Sequence, residues 1–92
     1  MKKFVIERDI PGLGNLSGEE LQAISQLSCA TVSELGVPYH WIQSFVTNDK
    51  LYCVHIAESE EVIREHARLG NFPINSIAEV KTIIDPTTGA NT

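Results

Sequence analysis

Between Tyr39 and Ala57 the chain alternates with the period of a strand, yet neither alternating set is made for water. The runs Tyr39 to Thr47 and Leu51 to Ala57 are joined by Asn48-Asp49-Lys50, which offers a two-residue turn at Asn48-Asp49 or at Asp49-Lys50. Either turn divides the hairpin in the same way, because the numbers of opposed residues sum to an odd value in both. One face then carries Trp41, Gln43, Phe45, Thr47, Tyr52, Val54 and Ile56, and the other His40, Ile42, Ser44, Val46, Leu51, Cys53, His55 and Ala57. Helices cover one face of such a sheet, and the second calls for another chain or a ligand. The pattern leaves open which of the two faces meets the helices.

The flanking segments supply the remaining elements. Lys3 to Asp9 alternates Phe4, Ile6 and Arg8 against Val5, Glu7 and Asp9, which predicts a first strand ended by the turn-forming Ile10-Pro11-Gly12-Leu13-Gly14. A helix follows, with Ser17 and Glu20 spaced as a capping box, Leu16 and Leu21 as a hydrophobic staple, and Gly36 where a left-handed stop is expected. Its apolar stripe is Leu21, Ile24, Ser28, Thr31, Val32 and Leu35, with Cys29 at the edge. Ser59 opens a second helix, whose first turn places Glu58, Glu60 and Glu61 by the positive end of the dipole, and Gly70-Asn71 and Pro73 end it. Ser76 to Ile84 predicts the last strand, and residues 87–92 a disordered tail.

Strand, helix, strand, strand, helix, strand is the split βαβ plan of ferredoxin-like α+β domains, here a single domain over residues 1–86. Right-handed crossovers put both helices on one side of a four-stranded antiparallel sheet. Two bare sheets meeting face to face make a dimeric α+β barrel, so a homodimer through the open sheet face is expected. In 92 residues with 42% hydrophobic content, such burial by a partner adds appreciably to stability.

Charge and length narrow the function. A net charge of −5, with basic residues scattered apart from Lys2-Lys3, disfavours nucleic acid. No run approaches the roughly 18 apolar residues of a membrane span, and the charged start Met1-Lys2-Lys3 is unlike a signal peptide, so a cytoplasmic protein with no membrane partner is expected. Cys29 and Cys53 lack a CxxC-like spacing and read as reduced thiols.

Histidine is the informative chemistry. His66 lies near the middle of the second helix's inward stripe with Val62, Ile63, Leu69 and Gly70, so a titratable ring is aimed at the sheet. His40 and His55 share one hairpin face as diagonal neighbours, with Cys53 beside them, close enough for two imidazoles to converge on one ion such as nickel, copper or zinc. Glu7, facing away from the helices if Phe4 and Ile6 face them, is an acid able to ligate a cation or act as a base, and Glu79 is placed to join it, with Arg8 and Arg64 as ion-pair partners. These three histidines contain no short metal-binding repeat, and Gly12-Leu13-Gly14 lacks the rest of a phosphate loop. No catalytic residues or organic-cofactor site stand out.

Several phrases together resemble a family of small bacterial proteins: Phe4-Val-Ile-Glu-Arg-Asp-Ile-Pro-Gly12, Leu21-Gln-Ala-Ile-Ser25, Trp41 with Ser44, Leu51-Tyr-Cys-Val54, and Ile63-Arg-Glu-His-Ala-Arg68 leading to Phe72-Pro73. The resemblance spans nearly residues 3–81, and the family, of unknown function, includes a nickel-binding member from actinomycetes. It implies a ferredoxin-like homodimer and Ni²⁺ or another divalent transition metal as the bound ion. His66 falls inside a matching phrase, whereas His55 departs from the tyrosine common at that place in the family. The leading expectation is a metal-binding homodimer using His66, His55 and His40, with Cys53 and Glu7 as further ligands. The alternative is a cofactor-independent small-molecule enzyme, monooxygenase- or isomerase-like, of the dimeric barrel type.

Overall fold

A computed structural model of the chain describes residues 1–90. Its elements are β1 (Lys2–Asp9), a 3-10 turn (Leu13–Asn15), α1 (Gly18–Leu35), β2 (Tyr39–Val46), β3 (Lys50–Ala57), α2 (Glu60–Gly70), β4 (Ser76–Glu79) and a 3-10 turn (Pro86–Gly89). The sheet order is β2-β3-β1-β4, with every neighbouring pair antiparallel. This is the ferredoxin-like α+β arrangement: each helix connects two parallel strands that skip one place in the sheet.

The start of α1 follows its sequence signals closely. Ser17 Oγ accepts from the Glu20 N–H at 3.1 Å while Glu20 Oε1 accepts from the Ser17 N–H at 3.2 Å, so two otherwise orphaned donors are satisfied. Gly36 closes the helix in the left-handed conformation at φ 66°. Ser28 and Thr31 are its buried residues, with Leu21, Ile24, Val32 and Leu35 partly buried beside them, as its stripe predicts. In α2 the inward set is Ile63, His66, Ala67 and Gly70, and the expected Leu69 lies outside it, half-exposed. Ser59 occupies the N-cap position of α2, though its side chain takes no backbone N–H there.

The hairpin corrects the division into faces. Its turn is Asn48-Asp49, held by Thr47 N–H to Lys50 O at 2.9 Å, and the odd-sum pairing runs from Val46↔Leu51 back to Gln43↔Val54. A β-bulge between Trp41 and Gln43 then shifts the register, giving Trp41↔His55, His40↔Ile56 and Tyr39↔Ala57. Every residue before the bulge changes sides. Tyr39 and Trp41 therefore join Ser44, Leu51, Cys53, His55 and Ala57 beneath the helices, and His40 goes to the opposite face. The extra residue, Ile42, is tolerated because β2 is an edge strand, with no neighbour beyond it to keep in register. Trp41 Nε1 donates across the bulge to Ser44 Oγ at 2.9 Å, tying its two sides together.

The core lies between this face and the helices, centred on Phe4, Ile6, Tyr39, Cys53, Ala57 and Ile63. β4 stops at Glu79, well short of the expected Ile84, because the register Phe4↔Glu79 brings it to the beginning of β1. Only Val80 N–H to Lys3 O at 2.8 Å continues the pairing. Ile83 and Ile84 are exposed. Of the expected disordered tail, Thr87 to Gly89 belong to the second 3-10 turn, which Asp85 caps, and residues 91–92 lie outside those described. Among the described residues no helix is long and apolar enough to cross a membrane.

Candidate functional site

The polar chemistry of the molecule is gathered under the helices. α2 delivers His66 from above and β3 delivers His55 from the sheet, each with only 1% of its surface exposed. Their rings meet edge to face, with centroids 5.3 Å apart. His66 is sandwiched between Tyr39 at 4.8 Å and Phe72 at 5.4 Å, both nearly parallel to it. Arg8 completes the row, its guanidinium 5.5 Å from the centre of the Phe72 ring.

Local structure explains how this row is assembled. Asn71 takes the left-handed conformation at φ 56° and turns the chain back, so that Phe72 N–H donates to Ala67 O at 2.8 Å. The ring of Phe72 then lies against Gly70, where a Cβ would stand 2.2 Å from Cε2. Glycine at position 70 is what admits the ring. The bulge matters equally, because without it Tyr39 would face away from His66.

Hydrogen bonds define the state of the ring nitrogens. Tyr39 Oη and His55 Nδ1 are 2.6 Å apart. The tyrosine is buried and this is its hydrogen bond among the described residues, so its hydroxyl proton belongs in it. Nδ1 thus accepts, and the proton of neutral His55 sits on Nε2. His66 Nε2 lies 3.4 Å from Ser28 Oγ, and His66 Nδ1 is buried with no partner among the described residues. Burial, followed by the neighbouring His66 and Arg8, holds His55 far below the usual histidine range, at about 3. Burial also lowers His66, and the Ser28 contact only partly offsets it. Burial raises the Tyr39 phenol above its ordinary value. Both imidazoles are therefore neutral at pH 7.

A partly open, mostly apolar space of about 40 Å³ adjoins these groups, bounded by Arg8, Ser28, Trp41, Cys53, His55 and His66 among others. Arg8 is the residue whose importance was missed. Its alternation with Phe4 and Ile6 placed it on the inward face, but an arginine near a strand end reads as a surface ion-pair partner. It is 2% exposed, and Nη1 donates to Pro73 O at 2.8 Å. The ion pairs expected of it belong to lysines: Lys50 bridges Glu7 at 3.2 Å and Asp9 at 3.4 Å, while Lys2 and Lys81 meet Glu79.

Of the candidate ligands, His66, His55 and Cys53 come together at this cavity, and His40 and Glu7 do not. Glu7 faces away from the helices as expected, beside Tyr52 in register. Glu79 opposes Phe4 and so belongs to the helix side, not to the face of Glu7. His40 is exposed at the β2 edge, where it borders an open groove of about 320 Å³ with Cys29 and Ile42. Both cysteines are free, Cys53 buried and Cys29 exposed. Among the described residues no three His, Cys, Asp or Glu side chains are already grouped to hold an ion.

Comparison with known proteins agrees with the fold. A crystal structure of SCO4226 from Streptomyces coelicolor A3(2) superposes with a TM-score of 0.75, covering 89% of this chain and 99% of that one at 16% identity. No curated protein sequence matches. The profile of the family described as "Nickel responsive protein SCO4226-like" matches residues 4–80, which span both helices and all four strands of the sheet from Phe4 onward. The chain belongs to the SCO4226-like family of nickel responsive proteins.

Proposed function

We propose that this protein is a small cytosolic homodimer that takes up Ni²⁺ or a similar borderline divalent ion, with His66 and His55 as its principal donors. The observation that carries the reading is His66 Nδ1, a buried ring nitrogen without a partner among the described residues, on a residue that shares a cavity with His55. The family's description as nickel responsive supports the choice of metal. Imidazole is a ligand well suited to nickel, and two neutral rings need no proton removed before they bind.

The remaining groups set the terms of binding. His55 would hold the ion through Nε2 in the tautomer that carries its proton on Nδ1, and Tyr39, with its own hydroxyl proton turned out of that contact, would be the outer partner that fixes the ring. Arg8 beside the cavity opposes a divalent cation, and the sulfur of Cys53 would be the third donor available there. Side chains must turn inward to converge, since the three donors are not grouped beforehand. His40 and Glu7 stay on the far side of the sheet, within the zone that a second copy covers.

Titration calorimetry with Ni²⁺ on untagged protein near neutral pH tests this. Loss of one donor in His66→Ala is expected to weaken uptake at least about tenfold, the equivalent of about 1.4 kcal/mol. Equal uptake by both proteins would remove His66 from the site.

A further inference from the structure

We infer that residues 80–84 form an exchange arm: in the homodimer, Ile83 and Ile84 of each chain seat in the groove along the β2 edge of the other. The inference rests on the homodimer proposed above and adds what each chain gives to its twin. The run Val80-Lys81-Thr82-Ile83-Ile84 has the composition of a strand and is stopped by Asp85-Pro86, yet β4 ends at Glu79 because β1 begins there. Beyond the bond from Val80 N–H to Lys3 O, no backbone hydrogen bond reaches residues 81–84 among those described. Ile83 and Ile84, 67% and 75% exposed, are the most exposed large apolar side chains among the described residues. The Cα radius of gyration is 14.6 Å against roughly 12 Å for a compact chain of this length, in keeping with an end that stands away from the body.

The opposite margin of the sheet carries a seat of matching character. β2 lies at that edge, so its outer row of N–H and C=O groups has no strand beside it. Between β2 and α1 runs the open groove of about 320 Å³, lined by Val32, Tyr39, Trp41 and Ile42 among others. In register, His40 faces Ile56 and Ile56 faces Lys3, so the arm leaves its sheet at the level of the groove. Reach then separates the two places it could go. The four residues Lys81 to Ile84 extend about 13 Å and fall short of the roughly 14 Å, three strand spacings, to the β2 edge of their own sheet. Two sheets packed face to face lie only about 10 Å apart. A two-fold axis parallel to the strands sets the β4 margin of each sheet over the β2 margin of the other, and makes each arm antiparallel to the strand it joins. An axis across the strands would stack arm on arm, Lys81 beside Lys81, and leave both grooves bare. Strand addition of this kind draws affinity from the main chain and specificity from the side chains that enter pockets, here Ile83 and Ile84.

Two measurements on the full chain test the arm separately from the dimer itself. Equal amounts of ¹³C-labelled and unlabelled protein are unfolded and refolded together, and isotope-filtered NOE spectra are recorded. The expected result is intermolecular contacts from the Ile83 and Ile84 methyl groups to Trp41 and Ile42 of the partner subunit, with sedimentation of the same sample giving the dimer mass. A dimer mass without those contacts would overturn the arm and leave the dimer standing, whereas a single-chain mass would remove both. Joint substitution Ile83→Ser and Ile84→Ser is expected to raise the dimer dissociation constant at least about tenfold, through lost burial of two isoleucine side chains. Both side chains are exposed in the single chain, so the fold of each chain is retained and its circular dichroism is unchanged. A dissociation constant equal to that of the unsubstituted protein would likewise overturn the inference.

Discussion

His55 and His66 are neutral in the fold and protonatable once released from it, which ties stability to acid. Below the ordinary histidine pKa of about 6.5 the unfolded chain binds protons that the folded chain refuses. His55 is held down to about 3, so its contribution is complete above about pH 6.5 and is lost as pH falls from there toward 3, at about 1.4 kcal/mol per pH unit. By pH 5 that amounts to about 2 kcal/mol, and His66, shifted in the same direction, adds to it. Urea midpoints measured from pH 7 to pH 5 are expected to fall steadily, before most carboxylates titrate, and a flat series would show that the rings are not held neutral. The inward aim of His66 was legible from helical spacing, because a period of 3.6 residues fixes a side chain's direction wherever the helix is regular. Its lack of a partner was not, since that depends on the turn at Asn71 and on Phe72 folding back over it.

The elements themselves were legible wherever a local signal specifies a local conformation. Ser17 with Glu20, Gly36 and the break after Gly70 all form as their residue types require. Period-two reasoning fails at β2, because one inserted residue inverts every assignment before it and no residue type obliges a bulge at Ile42. That single event separates His40 from His55 and brings Trp41 to the cavity. The length of β4 was equally illegible, being set by where β1 begins and not by the apolar run to Ile84. The end of α2 offers a decisive substitution, since Gly70→Ala is favoured by intrinsic helix propensity by about 1 kcal/mol but forces the Phe72 ring off His66. Overpacking of this kind costs about 1–3 kcal/mol, so a net loss of up to about 2 kcal/mol is expected, read as a lower urea midpoint with an unchanged slope. A stabilised variant would mean that the close fit of Gly70 and Phe72 is not what sets that end of the helix.

On the scale of the molecule, the two sides of the sheet have different destinies. One is sealed by α1 and α2 and encloses the imidazoles, the thiol of Cys53 and Arg8. The other presents Val5, Phe45, Tyr52, Val54 and Ile56, with Phe45 53% exposed, among Lys3, Glu7 and Gln43. The hairpin's shortage of water-facing residues was legible at the outset, and the bulge alters which residues make up the open face without making it polar. A sheet surface that mixes exposed apolar side chains with a few charged and polar ones is the kind of patch that a second copy covers, and an antiparallel sheet is able to meet its twin across a two-fold axis. The proposed division of labour, donors beneath the helices and self-association on the open face, depends on that second copy. Sedimentation equilibrium at micromolar concentration measures it most directly: the account predicts a mass twice the 10.2 kDa of the chain, lowered toward one chain by Phe45→Glu, whereas a single-chain mass for the unsubstituted protein would contradict it.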